Sequence, residues 1–98
     1  MADVRVTGKV VSGSQQQYII RNSEMGEWSG GVWNMVFVGS TGAPESHCSN
    51  SGSPPATTVE ETPLIAEKAY IVSEGEGFSL MVPRVEQNKV GVTKDFDN

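Results

Sequence analysis

The sequence predicts an all-β chain, on three observations. Three β-rich segments recur at nearly even spacing, Gly, Ser, Thr, Asn and Pro crowd the intervals between them, and Ala and Leu are scarce. β-Branched and aromatic residues suit a pleated surface, while Gly, Pro, Asn and Ser supply the turns that end one. No segment carries the apolar spacing of an amphipathic helix, and no helix is predicted.

Residues 3–12, DVRVTGKVVS, set Val4, Val6 and Val10 against Arg5, Thr7 and Lys9, with an interruption at Gly8. Residues 16–25, QQYIIRNSEM, have a β-branched and aromatic centre between polar flanks. Residues 31–40, GVWNMVFVGS, are the most strand-like stretch, with Trp33, Met35 and Phe37 as the expected core-facing row. Only Asn34 is polar within 32–38, so both faces of this strand are expected to be covered. The segment centres lie about fourteen to seventeen residues apart without a tight hairpin signal between them. That recurrence suits successive turns of a β-solenoid, and equally a meander or a small β-sandwich with longer loops.

Residues 41–58, TGAPESHCSNSGSPPATT, are turn chemistry nearly throughout, and longer than an ordinary connection. Beyond them KAYIVS and FSLMVPRV, separated by EGEG, read as a hairpin. Its second arm alternates Phe78, Leu80 and Val82 against Ser79, Met81 and Pro83, and is expected to end at the proline. The tail NKVGVTKDFDN ends polar and is expected to fray. The chain therefore divides into a strand block at 1–44, a Ser/Gly/Pro-rich loop at 45–58 and a hairpin-containing extension at 59–98.

With 98 residues the chain suits one domain or a piece of a larger one, and 37% hydrophobic residues allow only a modest core. Seven basic residues against twelve acidic ones, without a basic cluster, argue against nucleic acid and anionic membrane as partners. Cys48 is the sole cysteine and His47 the sole histidine, which excludes an internal disulfide and a structural zinc site. No metal or cofactor is expected. No apolar run has membrane-spanning length, and MADVRVTGKV lacks the basic and apolar regions of a signal peptide.

The stretch SGSQQQYIIRNSEMGEWSGGVWNMVFVGSTGAP, at 12–44, resembles a segment of secreted β-helix proteins of the pectate-lyase-like superfamily of bacteria and fungi. So does TTVEETPLIAEKAYI, at 57–71, where a Thr-Pro turn and a Glu-Lys pair precede a strand. The resemblance implies that the first stretch forms the last rungs of a right-handed parallel β-helix, and that the second begins an extension packed on it. It also implies an extracellular parent that acts on or binds polysaccharide. The family's catalytic carboxylates and bases lie on upstream coils, so no catalytic residue is expected in this chain.

Exposed aromatic rings stack on sugars, with amides and carboxylates nearby for the hydroxyls. Trp28, in the bend GEWSGG, is the expected exposed ring, with Gln16, Asn22, Glu24 and Glu27 as its polar neighbours; Gln15 and Gln17 belong to the same set. Trp33 is assigned to the core. Glu24 and Glu27 are three apart, but a glycosidase pair needs one raised pKa, and two glutamates in a polar turn are expected to be solvated. Adjacent Glu60 and Glu61 would point to opposite sides. His47 and Cys48 lack the rigid orienter of a nucleophilic dyad. SEGEGF has too few oxygens for a calcium loop, and GSTGAP lacks the spacing of a phosphate loop. The function expected is a noncatalytic segment that closes a β-helix end and adds a glycan contact. The alternative is a module that pairs with another chain, the rest of its own fold or a second copy through exposed strand edges.

Overall fold

Strand alternation holds in this chain only between corners, and the corners are set by residues that accept left-handed backbone. The computed structural model describes residues 1–49 and 54–93. Nine strands and no helix occur among them: β1 (Arg5–Val11), β2 (Gln17–Arg21), β3 (Glu24–Ser29), β4 (Asn34–Val38), β5 (Ala56–Val59), β6 (Thr62–Ile65), β7 (Tyr70–Glu74), β8 (Gly77–Met81) and β9 (Glu86–Lys89). Residues 94–98 of the polar tail, and 50–53 of the long loop, lie outside the described residues.

The first five strands form two parallel ladders. β1 pairs with β3, and β2 with β4, which carries β5 on its other side. Parallel neighbours cannot be joined by a tight turn. Here the chain passes through β2 between β1 and β3, and through β3 between β2 and β4, while between β4 and β5 it meets the first ladder at the Thr41–Glu24 bridge. Arg5 thereby meets Glu24, Gln17 meets Asn34 and Met35 meets Ala56. The stretch 16–25, expected as one strand segment, is thus divided into β2 and β3 by a corner at Asn22 and Ser23.

That corner recurs in each circuit. Asp3, Asn22 and Gly39 all have left-handed φ, at 53°, 46° and 55°. Asn, Asp and Gly are the residues that reach this region at least cost. Each sends its backbone N–H to the carbonyl ending the strand of the next circuit: Asp3 to Arg21 at 3.3 Å, Asn22 to Val38 and Gly39 to Val59 at 2.9 Å. Ser23 and Ser40 follow in register, each hydroxyl donating to the carbonyl two residues back. The Ser23 hydroxyl also accepts the Val4 N–H, and the Ser40 hydroxyl accepts that of Ser23. A corner buried this deeply would otherwise leave several amides unpaired.

The core lies inside the two ladders. Ile20 and Phe37, in register on β2 and β4, are fully buried, with Met25, Val32, Met35 and Ala56 around them. A core this small makes each member weighty: Phe37→Ala should cost about 3–5 kcal/mol of a total near 5–15 kcal/mol. Trp33, expected in this row, is not in it. Its residue is 69% exposed. Val32 is buried, Trp33 and Asn34 are both exposed and Met35 is buried again, so the period breaks at a corner just before β4. Nor are both faces of β4 covered, because its outward face continues into Ile19 of β2, which is 60% exposed.

The loop and the extension close over this body. β5 straddles the boundary expected at 58/59 and belongs to the β2–β4 ladder. Its free edge is covered by the loop itself: His47 exchanges both backbone hydrogen bonds with Ala56, and the Ser46 hydroxyl bonds both Thr58 N and Thr58 O. Thr62 and Pro63 open β6 rather than a turn, and β6 pairs antiparallel with β9. Thr62 Oγ1 donates to Asn22 Oδ1 at 2.8 Å, Asn22 Nδ2 to Lys89 O at 3.4 Å, and Thr93 N to Asp3 Oδ1 at 2.9 Å. β7 and β8 form the expected hairpin around Gly75 and Glu76, with Gly75 at φ 56° as a two-residue turn requires. β8 ends at Met81, before Pro83.

The corner generates a sharp contrast between two glycines. A Cβ on Gly39 would meet Thr62 Oγ1 at 2.5 Å and Lys89 O at 2.7 Å, whereas one on Gly8 meets nothing within 4 Å. Gly39→Ala is expected to lose stability by more than the about 1–3 kcal/mol of left-handed strain alone. Gly8→Ala is expected to be neutral or to gain about 0.5–1 kcal/mol. Urea unfolding midpoints of the two variants check both.

Candidate functional site

The two ladders sort the expected site residues into three groups. Trp28 sits on β3 and turns inward. Its ring packs edge-on against Phe37, centroids 5.0 Å apart, and lies 6.0 Å from Tyr18. Its indole Nε1 is buried without a hydrogen-bond partner. Trp28 is therefore half-buried core, not the exposed ring of the bend. The reason lies in β3: the ladder with β1 slips between the Val6–Met25 and Lys9–Glu27 pairs. Across that irregularity Met25 and Trp28 both contribute to the core, though three positions apart. Gly26 permits the slip, since a Cβ there would strike the carbonyl oxygens of Thr7 and Gly8.

Asn22 is 0% exposed, and its amide is committed to Thr62 and Lys89. It holds the corner and offers nothing to a ligand at the surface. Glu24 and Glu27 form ion pairs with their ladder neighbours, Glu24 with Arg5 at 2.6 Å and Glu27 with Lys9 at 3.3 Å. The hydrogen bond from Arg5 holds the Glu24 carboxyl below the usual glutamate range, against a smaller opposing effect of burial. That is the reverse of what a general acid needs. Gln16 is exposed, and its carbonyl accepts the Trp33 N–H at 3.0 Å. Of the residues expected to make one glycan surface, Trp28 and Asn22 thus lie inside and Glu24 and Glu27 are ion-paired, so the set is not gathered into one surface.

What the fold does gather is different. Trp33, Gln16, Gln17 and Asn34 lie within one register step at one end of the β2–β4 ladder, because Gln17 faces Asn34 and Trp33 bonds Gln16. Gln17, Tyr18, Ile19, Asn34 and Val36 line an open depression of about 600 Å³. A smaller cavity of about 180 Å³, near the hairpin, is lined by Glu67, Tyr70, Arg84 and Glu86 among others. Its Glu67 is engaged by Arg21 and its Glu86 by Lys89. The Glu67 contact also holds the Arg21 guanidinium more firmly charged. His47 and Cys48 are exposed, and the His47 ring faces the Cys48 carbonyl rather than its thiol. Among the described residues no group of three His, Cys, Asp or Glu is placed to hold a metal.

Two outcomes follow from these positions. Iodide should quench Trp33 and leave Trp28 shielded, so Trp33→Phe should remove most of the quenchable emission and Trp28→Phe little. Because the folded Glu24 carboxyl titrates low, its pair with Arg5 contributes fully above the ordinary glutamate value of about 4.3. The contribution is lost as pH falls through the depressed folded value. The stability difference between the parent chain and Glu24→Gln, at most about 1 kcal/mol for so exposed a pair, should therefore close in acid. Urea midpoints at neutral and acid pH measure it.

No family model matches the chain. The chain is 39% identical over 93 residues to an exo-β-1,3-glucanase of Streptomyces sp. (strain SirexAA-E / ActE), a match that covers 95% of this chain and 15% of that enzyme. Two solved structures of sacteLam55A from Streptomyces sp. SirexAA-E, one of them a variant in complex with glucose, superpose with a TM-score of 0.83 at 40% identity. They cover 93% of this chain and 16% of theirs. The chain thus spans about one sixth of the length of the proteins it matches. Over nearly its whole length it is similar, in sequence and in fold, to a segment of a glucanase.

Proposed function

We propose that the chain is a noncatalytic β-structured segment of a polysaccharide-acting protein of the β-1,3-glucanase kind. In this reading its first strands are the terminal coils of a parallel β-helix, and the extension closes that helix. The observation that carries the proposal is the 39% identity, along 95% of the chain, to part of an exo-β-1,3-glucanase.

The parallel ladders support the helical part of the reading. Successive circuits stack β2 on β4 on β5 and repeat one left-handed corner, as a solenoid requires. The closing role is supported by the contacts of Ser46 and His47 along the free edge of β5, since an uncovered edge is a template for pairing with other chains. The noncatalytic part is supported by Glu24 and Glu27, each neutralised by a cation in its own ladder. Export of the parent protein belongs to the same reading, on the ground that cell-wall polysaccharide is met outside the cell.

One observation also favours contact with the rest of a larger protein. Ile71, Phe78 and Leu80 share one face of the β7–β8 hairpin, and all three are largely exposed. With the chain matching only 15% of the glucanase, another part of a longer chain is the natural cover for that face.

Two measurements test the proposal. The chain should release no sugar from β-1,3-glucan, and turnover would overturn the noncatalytic assignment. Ser46→Ala combined with His47→Pro should uncover the β5 edge and cause concentration-dependent association in light scattering. A double variant that stays as dispersed as the parent chain would remove the closing role.

A further inference from the structure

We infer that Trp33, with Gln17 and Asn34 beside it, is a binding platform for a neutral β-glucan chain on the outward face of the β2–β4 ladder. The inference rests on the glucan-acting reading for the identity of the sugar, and on the structure for the place.

Trp33 is 69% exposed, directly before β4, in a chain whose other indole is packed into the core. A large aromatic ring left in water at a strand end presents a flat apolar face. The two residues in register at that end, Gln17 and Asn34, both carry amides and are both exposed. Further along the same outward face lie Ile19 and Val36, also in register, and the open depression of about 600 Å³ runs over all four. Its size falls within the range of about 300–1,000 Å³ usual for small-ligand sites. The depression is thus lined by an amide pair and an aliphatic floor together with Tyr18, and the exposed Trp33, itself outside that lining, adjoins it in sequence at Asn34.

That sequence of chemistries selects the occupant. A pyranose ring has an apolar C–H face to lie on an indole and a rim of hydroxyls, each able to donate and accept. An amide likewise offers both a donor and an acceptor, so Gln17 and Asn34 match hydroxyls without leaving a polar group unpaired. A purely apolar protein partner would bury both amides unsatisfied, at a cost for each. Charge decides the kind of sugar. None of Gln16, Gln17, Ile19, Trp33, Asn34 and Val36 is charged, and the nearest cation on that outward face, Arg21, is engaged by Glu67. An anionic polyuronide would find no free cation on this platform, whereas an uncharged glucan needs none.

The test uses the full chain labelled with nitrogen-15, in which the two indole N–H signals report separately on Trp33 and Trp28. Titration with β-1,3-linked gluco-oligosaccharides should shift the Trp33 indole and the Gln17 and Asn34 side-chain amides saturably and leave the Trp28 indole in place. Trp33→Ala should weaken the amide response at least about tenfold, while Trp28→Phe, if folded, should retain it; Asn34→Ala gives a second variant that leaves both indoles in place and should also weaken binding. Oligogalacturonides should have no effect. The inference is overturned by absence of any shift or by an equal response to oligogalacturonides. It is also overturned by a Trp33 signal that moves on dilution without sugar, which would assign the face to a second copy. Failure here leaves the glucan-acting reading standing, because sugar release and the β5 edge are measured independently of Trp33.

Discussion

The left-handed corner at Asp3, Asn22 and Gly39 is the constraint on which the rest of the structure depends. It is what folds β2 away from β3 and lets the chain return one circuit later in parallel register. Backbone amides at each corner bond the next circuit, and the side chains of Asn22 and Asp3 reach outward to Thr62, Lys89 and Thr93. The same column thus joins the parallel strands to one another and to β6 and β9. Buried polar groups are costly when unpaired and specifying when fully paired. Asn22 uses both ends of its amide, so the corner admits one arrangement of the segment that crosses it.

The consequences run outward from that column. With the corners fixed, one face of β2 and β4 turns inward to bury Ile20, Met35 and Phe37, and the opposite face is left to solvent. Gly39 has to be glycine because Thr62 and Lys89 close in where a side chain would stand. The Ser/Gly/Pro-rich loop, whose composition suggests slack chain, folds Ser46 and His47 back along β5. Its polar residues satisfy the free edge of β5 in the β2–β4–β5 sheet.

Function follows the same geometry. Glu24 and Glu27 pair with Arg5 and Lys9 across the β1–β3 ladder. The neutral outward face of β2 and β4 remains, bounded by Trp33. The glycan contact proposed above therefore keeps Gln17 from the set expected from the sequence and moves from Trp28 to Trp33. Trp28 and Asn22 belong to the interior, while Trp33, Gln17 and Asn34 hold the exposed positions.

The sequence by itself determined the all-β class, a hairpin of KAYIVS and FSLMVPRV around EGEG, and, from an expected inward row of Trp33, Met35 and Phe37, its last two members, because alternation inside one strand is a local property. It also carried the corner in the form of Asn22 and Gly39, residue types that tolerate left-handed backbone, though their spacing was not legible as a corner without knowing which strands stack. Only the tertiary structure decided the phase across corners. A break in the two-residue period between Trp33 and Asn34 turned one tryptophan out, and a slip beside Gly26 turned the other in. The partnerships of Arg21 with Glu67 and Asn22 with Thr62 were equally invisible, since they join residues 46 and 40 positions apart. A side chain's face is set locally within a strand, but across a turn it is set by the neighbouring circuit to which the backbone bonds.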